Sequence, residues 1–307
     1  MLETGKKGIL LESGTNEIEI MEFTINGNLY GINVAKVREI LMSAPVKYMP
    51  HTHPAVEGIF KPRDLVMTVV DLPYYLSGVE SEKGPKDLFI ITNFNKMSIA
   101  FRVHTVVGII RISWKDIEKP DKAVSSGDEG VTTGIAQCGD SLISILDFEK
   151  IVAEIAPETS IQMSEIDRLG KRARNEVPIL IAEDSVLLTK MIHNALEKAG
   201  YVNVTTFPDG QALWDYLEQL KKDHAIDKNV ALIITDIEMP QMDGHRLTKL
   251  VKEDKELKHL PLIIFSSLIS DEMRIKGKQL GADEQLTKPE IGHLVEVMDH
   301  LLASQHN

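Results

Sequence analysis

The chain has 307 residues, 34 Lys and Arg against 46 Asp and Glu, a formal net charge of −12 and one cysteine, Cys138. That charge disfavours a general nucleic-acid binder, whose basic surface gains affinity by counterion release. The lone cysteine excludes an intramolecular disulfide and suits a reducing compartment. Length suggests about two domains, and the 43% hydrophobic and 26% charged content is ordinary for a folded protein. No apolar stretch approaches the roughly 20 residues of a membrane span, and the opening MLETGKKGILLESGTNE lacks a signal-peptide core. A cytoplasmic protein with no membrane insertion is expected.

Residues 17 to 156 carry short strand-like runs: IEIMEFTI (18–25), VMTVVDL (66–72), LFIITNF (88–94), SIAFRVH (98–104), VVGIIRI (106–112) and LISILDF (142–148). Turn residues bound them, such as Asn26-Gly27-Asn28, Gly84-Pro85 and Asn95-Lys96. The segment NVAKVREIL (33–41) reads as a helix, because Val34, Val37, Ile40 and Leu41 fall on one face. Many short strands and few helices predict an all-β barrel or sandwich. Its histidines carry little chemistry: His51 and His53 lie in a turn between Pro50 and Pro54, His104 sits in a strand, and none has a third metal ligand at a compelling spacing. Trp114 and Phe101 read as packing residues. No phosphate loop or paired nucleophile and base is present, so this half reads as a binding module.

Residues 157–176 are polar and read as a linker, part helical, with Pro157 breaking the helix before it. From residue 177 to 307 strands and helices alternate: PILIA then 184–200, NVTTF then 210–222, VALIIT then 244–254, PLIIFS then 271–281, EQLTK then 291–303. Five β-α units predict a doubly wound α/β fold with a parallel sheet.

In such sheets ligands bind beyond the carboxyl ends of the strands. Glu183-Asp184, Asp236, Ser266 and Lys288-Pro289 all stand at those ends. Three crowded carboxylates raise one another's pKa, and a hard cation such as Mg²⁺ relieves them. A carboxylate can also act as nucleophile toward a phosphoryl group, with metal and lysine neutralising the transferring charge. Lys288-Pro289 is expected to be cis, aiming the lysine inward.

The pieces ILIAEDS, TDIEMPQMDG, IIFSS and GADEQLTKP resemble the receiver domain of two-component response regulators. The resemblance implies Asp236 as phospho-acceptor, with Asp184 and Asp236 as direct Mg²⁺ ligands. It adds Glu183 through water and the backbone carbonyl of Glu238 to the metal, Ser266 as switch hydroxyl and Lys288 as phosphate-binding cation. Two positions depart from the pattern: Gln285 stands where an aromatic switch residue is usual, and Glu290 where an apolar residue is common.

In the first half, FTINGNLYGINVAKVREIL and MPHTHPAVEGIFKPRDLVMTVVDL are similar to CheW-type chemotaxis coupling domains. That family is a pair of small five-stranded barrels bridging chemoreceptor tips and the histidine kinase CheA. Arg63 matches an arginine of its central segment, and Asp64 follows where glycine is usual. IIRISW (109–114) reads the same way. A coupling domain followed by a receiver resembles CheV-type chemotaxis proteins. The resemblance implies an adaptor associated with receptor arrays, not an enzyme beyond its own phosphoryl transfer from phosphohistidine and slow autodephosphorylation, serving adaptation or as a phosphate sink. Two rival readings are a response regulator with another effector output and an aspartate-nucleophile phosphatase. The latter class needs a second aspartate where this chain has Glu238.

Overall fold

The computed structural model describes residues 17–63, 65–80, 82–94, 97–118, 120, 130–139, 141–157, 161–267 and 271–304. Asp64 and the Asn95-Lys96 turn lie outside the described residues.

The first half holds β1 (Glu17–Ile25), β2 (Asn28–Asn33), β3 (Val37–Met42), β4 (Val56–Phe60), β5 (Met67–Asp71), α1 (Leu72–Ser77), β6 (Leu88–Phe94), β7 (Met97–Val103), β8 (Thr105–Ser113), β9 (Ile117–Glu118), β10 (Thr132–Cys138), β11 (Ser141–Leu146) and α2 (Phe148–Ile155). They form two sheets, ordered β8-β1-β2-β11-β10-β9 and β3-β6-β7-β5-β4. The expected all-β half is present, with the two-residue β9 as an extra strand on one sheet. The turn foreseen at Asn26-Gly27 joins β1 to β2 with Ile25 opposite Asn28, and both turn residues have positive φ, 52° and 80°, as a tight hairpin requires.

The helix expected over 33–41 is not there. Val34–Lys36 form a single 3₁₀ turn, and the chain then enters strand β3, antiparallel to β6. Along β3 half-buried Val37, Glu39 and Leu41 alternate with exposed Arg38, Ile40 and Met42. The spacing of Val34, Val37, Ile40 and Leu41 suits a helix, whereas in β3 only Val37 and Leu41 share the inner face and Ile40 is exposed. Pairing with β6 decides, because the β-branched side chains fit a pleated surface.

A buried aromatic group joins the two sheets. Phe148, at the start of α2, packs edge-on against Phe101 of β7 with ring centroids 4.8 Å apart, and lies 6.3 Å from Phe23 of β1. Asp147 caps α2 by accepting from the Lys150 amide at 2.9 Å. Packing and cap together fix the first turn of α2, where Glu149 lies.

The remainder comprises α3 (Met163–Arg168), β12 (Ile179–Ala182), α4 (Val186–Lys198), β13 (Val204–Phe207), α5 (Gly210–Lys222), α6 (Ile226–Asn229), β14 (Leu232–Thr235), α7 (Gly244–Glu253), β15 (Leu262–Ser266), α8 (Asp271–Gln279), β16 (Glu284–Thr287) and α9 (Ile291–Ser304). The sheet is parallel throughout, ordered β13-β12-β14-β15-β16. The three central strands β12, β14 and β15 are buried on both faces, which is why they read as apolar runs. Ile179, Ile181, Ile234 and Phe265 pack with α4 and α9 on one face, while Leu180, Ile233 and Ile264 pack with α5 and α7 on the other. Helix α3, within the polar stretch before β12, docks on the first face through Ile166. Its Glu165 accepts from the Gly292 amide at 2.9 Å.

Candidate phosphorylation site

The carboxyl ends of β12, β14, β15 and β16 bring Glu183, Asp184, Asp236, Ser266 and Lys288 to one edge of the parallel sheet. Asp236 leaves β14 with its amide donating to the Ala182 carbonyl at 2.9 Å, so the last rung of the sheet orients it. Its Oδ1 accepts from the Ile237 amide at 2.7 Å, and its Oδ2 receives the Lys288 ammonium at 3.0 Å. Lys288 also lies 3.0 Å from Glu183. Asp236 and Lys288 are each only 2% exposed, so these charges act on one another with little screening.

The turn after Asp236 has a steric reason for its sequence. Gly244 donates to the Ile237 carbonyl at 2.9 Å, and a Cβ there would stand 1.7 Å from the Asp236 carbonyl oxygen. Only glycine lets α7 start so close to the acceptor loop. Asp243 caps that helix on the Arg246 amide at 2.8 Å, and Met239 and Met242 are buried beneath.

The electrostatics are unbalanced toward the negative. One ligand atom from each of Glu183, Asp184 and Asp236 lies within 4.8 Å of the others. Burial, then Asp236 and Asp147, push Asp184 up to about 8. Burial raises Glu183 well above the carboxylate range, and Asp236 and Asp184 add to the rise against the pull of Lys288. Burial opposes the charge on Lys288, but Asp236, Glu149 and Glu183 outweigh it and hold the ammonium well above its ordinary pKa. An oxygen-rich cluster whose carboxylates resist ionisation fits a hard divalent cation such as Mg²⁺.

The expected cis peptide at Lys288-Pro289 is absent, since the described peptide bonds are all trans. Trans is the default even before proline, and Lys288 reaches inward without it. Glu290, the departure after the proline, accepts from the Thr287 amide at 3.1 Å and from the Thr287 hydroxyl, closing the turn into α9. Gln285 is buried against α8: its side-chain amide donates to the Arg274 carbonyl at 2.8 Å, and Gly277 leaves the room it fills. Arg63 lies far from this site in sequence, exposed in the loop between β4 and β5 with φ of 59°.

Four residues escaped the sequence reading. Glu149, from α2 of the first half, reaches the site: its Oε2 accepts from the Ser267 hydroxyl at 2.8 Å and lies 3.3 Å from the Lys288 ammonium. Lys36 lies 2.6 Å from the Glu238 carboxylate and 3.4 Å from Glu149, and the Asn33 side-chain amide donates to Glu238. Glu149 and Lys288 are 139 positions apart, and no local pattern joins them.

Comparison with known proteins agrees with the two halves. Residues 19–156 match the CheW-like domain family, and residues 179–299 match the response regulator receiver domain family. The fold and these matches define a chemotaxis coupling protein with a CheW-like domain followed by a receiver. The chain is 30% identical to chemotaxis protein CheV3 of Helicobacter pylori over 94% of its own length and 95% of that protein's. It is 28% identical to CheV2 of the same organism over 94% and 96%. Among solved structures, the scaffolding protein TtCheW from Thermoanaerobacter tengcongensis matches 42% of this chain and 83% of its own at 27% identity, with a TM-score of 0.39. The chain belongs to the CheV family of chemotaxis proteins. Among the described residues no helix is long and apolar enough to cross a membrane.

Proposed function

We propose that this protein couples chemoreceptor tips to the histidine kinase CheA through residues 17–156, and that its receiver, residues 177–307, regulates the coupling by phosphorylation of Asp236. The observation that supports this most is the buried pairing of Asp236 with Lys288 beside Glu183 and Asp184, at the carboxyl edge of a parallel sheet joined to a CheW-like half.

In the transfer, an Asp236 carboxylate oxygen attacks the phosphorus of a CheA phosphohistidine. The P–O bond forms as the P–N bond breaks, and the imidazole nitrogen keeps the electron pair. Lys288 neutralises the equatorial oxygens, and Ser266, fully buried at the end of β15, is the hydroxyl drawn to the new phosphoryl group. Glu183, Asp184, Asp236 and the Glu238 carbonyl are the residues that would hold Mg²⁺, which supplies further neutralisation of that charge. The added charge of about −2 biases the receiver between two arrangements and so alters how the first half couples receptor to kinase. Adaptation or a phosphate-sink role follows. In this reading Arg63 serves the receptor or kinase contact, which its exposure leaves open to a partner, and the protein works on the cytoplasmic side, at receptor arrays. Residues 157–176 join the two domains. Beyond its own phosphorylation and slow autodephosphorylation the protein is an adaptor, not an enzyme.

Phospho-CheA or acetyl phosphate with Mg²⁺ is expected to label the wild-type chain and not Asp236→Ala. Labelling retained in the variant would sink the assignment. In a reconstituted receptor–CheA assay, the same substitution is expected to remove any dependence of kinase output on the receiver.

A further inference from the structure

The Glu149 carboxylate comes from the coupling half yet rests on the receiver's own donors. One oxygen, Oε2, takes both the Ser267 hydroxyl at 2.8 Å and the Lys288 ammonium at 3.3 Å, and that ammonium holds Asp236 at 3.0 Å. A phosphoryl oxygen on Asp236 would seek the same ammonium. We propose that Glu149 is a built-in competitor for the phosphoryl group: it latches the coupling half onto the unphosphorylated receiver, and phosphorylation of Asp236 expels it. The inference rests on Asp236 being the acceptor.

Three further observations carry it. The latch has a second tooth: Lys36 and Asn33 hold Glu238, two residues beyond Asp236, so the coupling half grips the acceptor loop itself. Among the described residues no hydrophobic cluster spans the two halves, while Glu149, Lys36 and Asn33 make charged and polar contacts across the boundary. A cleft of about 250 Å³ runs between the halves beside these groups, with Asp184, Glu238, Lys36 and Glu149 among its lining residues. Glu149 is anionic here because Lys288 and Lys36 overcome the cost of burying it and hold its carboxyl down at about 2. A phosphoryl group of charge about −2 placed beside it sets two anions on one ammonium in a buried site, where like charges repel strongly. The monoanion held by Ser267, Lys288 and Lys36 loses Lys288 to the covalently tethered dianion.

The test uses the full chain with Cys138→Ser and one spin label on each half, at exposed Thr105 and Glu197. The expected result is a narrow distance distribution in the unmodified chain that broadens and lengthens with Mg²⁺ and beryllofluoride, a phosphoryl mimic. Glu149→Ala, and independently Lys36→Met, are expected to broaden it without the mimic. Both are also expected to speed acyl-phosphate formation from acetyl phosphate severalfold, with circular dichroism unchanged. Acyl phosphate formed on Asp236 at equal rates in all three chains, with distances unmoved, would overturn the latch and leave the acceptor standing. No acyl phosphate in any chain would overturn the acceptor reading and the latch with it.

Discussion

Each half of this protein buries a cluster of charges, and the two are arranged to opposite ends. In the coupling half, Arg102 is only 4% exposed; it donates to Glu57 at 2.9 Å through its Nη2 and to Asp87 at 3.3 Å, and stacks over Phe89 with its guanidinium carbon 4.9 Å from the ring centre. Lys83 adds a second cation, 3.0 Å from Glu57. Burial works against the Glu57 charge, but Arg102 and Lys83 overcome it and hold the carboxyl below its ordinary pKa. In the receiver, Lys288 faces Glu183, Asp236 and the incoming Glu149, and the carboxyls of Glu183 and Asp184 are driven upward. A cluster whose cations nearly match its anions is finished at folding and serves as a fastening between strands. A cluster short of positive charge is a site, because a cation or a change of charge can still act on it.

The largest expected effect tests that difference directly. Arg102→Met leaves Glu57 and Asp87 buried without their main partner and should cost about 3–5 kcal/mol, read by urea unfolding, with Mg²⁺ making no difference. Lys288→Met should cost a comparable amount in the absence of Mg²⁺, and saturating Mg²⁺ should recover more than half of it. Equal recovery in both variants would erase the distinction between the clusters.

His245 offers a third way of burying a titratable group, in which charge is neither paired nor stored but given up. It is 4% exposed, and burial, aided by Lys276, lowers its pKa from 6.5 to about 4. Since the folded pKa lies below the unfolded one, the unfolded chain takes up a proton first as pH falls. Stability is therefore present above pH 6.5 and lost between 6.5 and about 4. The shift corresponds to about 3 kcal/mol. A His245→Gln chain should lose that part of the acid slope in unfolding experiments across this window, and an unchanged slope would show that the histidine is already charged in the fold.

Mg²⁺ is expected to stabilise the whole chain by about 2.7 kcal/mol at 100 times its dissociation constant. Calorimetry should register this as a rise in Tm that chelation reverses and Asp184→Ala removes. The smallest effect should come from Gln285→Ala. Loss of its bond to the Arg274 carbonyl is expected to cost about 1 kcal/mol while leaving phosphoryl labelling intact, because Gln285 fastens β16 to α8 and touches none of the acceptor's partners.

The parallel sheet was legible from its alternation of strands and helices, since its central strands β12, β14 and β15 are apolar on both faces and its helices carry clear caps, Ser185, Asp209 and Asp243. The sheet edge followed from the rule that strand ends converge, and Glu183, Asp184, Asp236, Ser266 and Lys288 are all found there. The coupling half was less legible. Strands β4, β9 and β10 bury little, Gly58 in β4, Ile117 in β9, and Gly134 and Ala136 in β10, so their apolar pattern is weak without their neighbours. Segment 33–41 was misread because its apolar spacing is helical, and the pairing of β3 with β6 overrides that local pattern.

What the sequence by itself determined was the order of elements and the identity of the groups placed at each strand end, because both are set by local patterning and by the period of burial. What only the tertiary structure decided was the company those groups keep. Glu149 and Lys36 read alone as ordinary surface charges, and Ser267 as a spare hydroxyl. The packing of Phe148 against Phe101 and the turn at Val34–Lys36 aim the two charges across the boundary between the halves. Contacts between residues more than a hundred positions apart leave no local trace, since they are chosen by how two finished domains meet and not by the pattern of either.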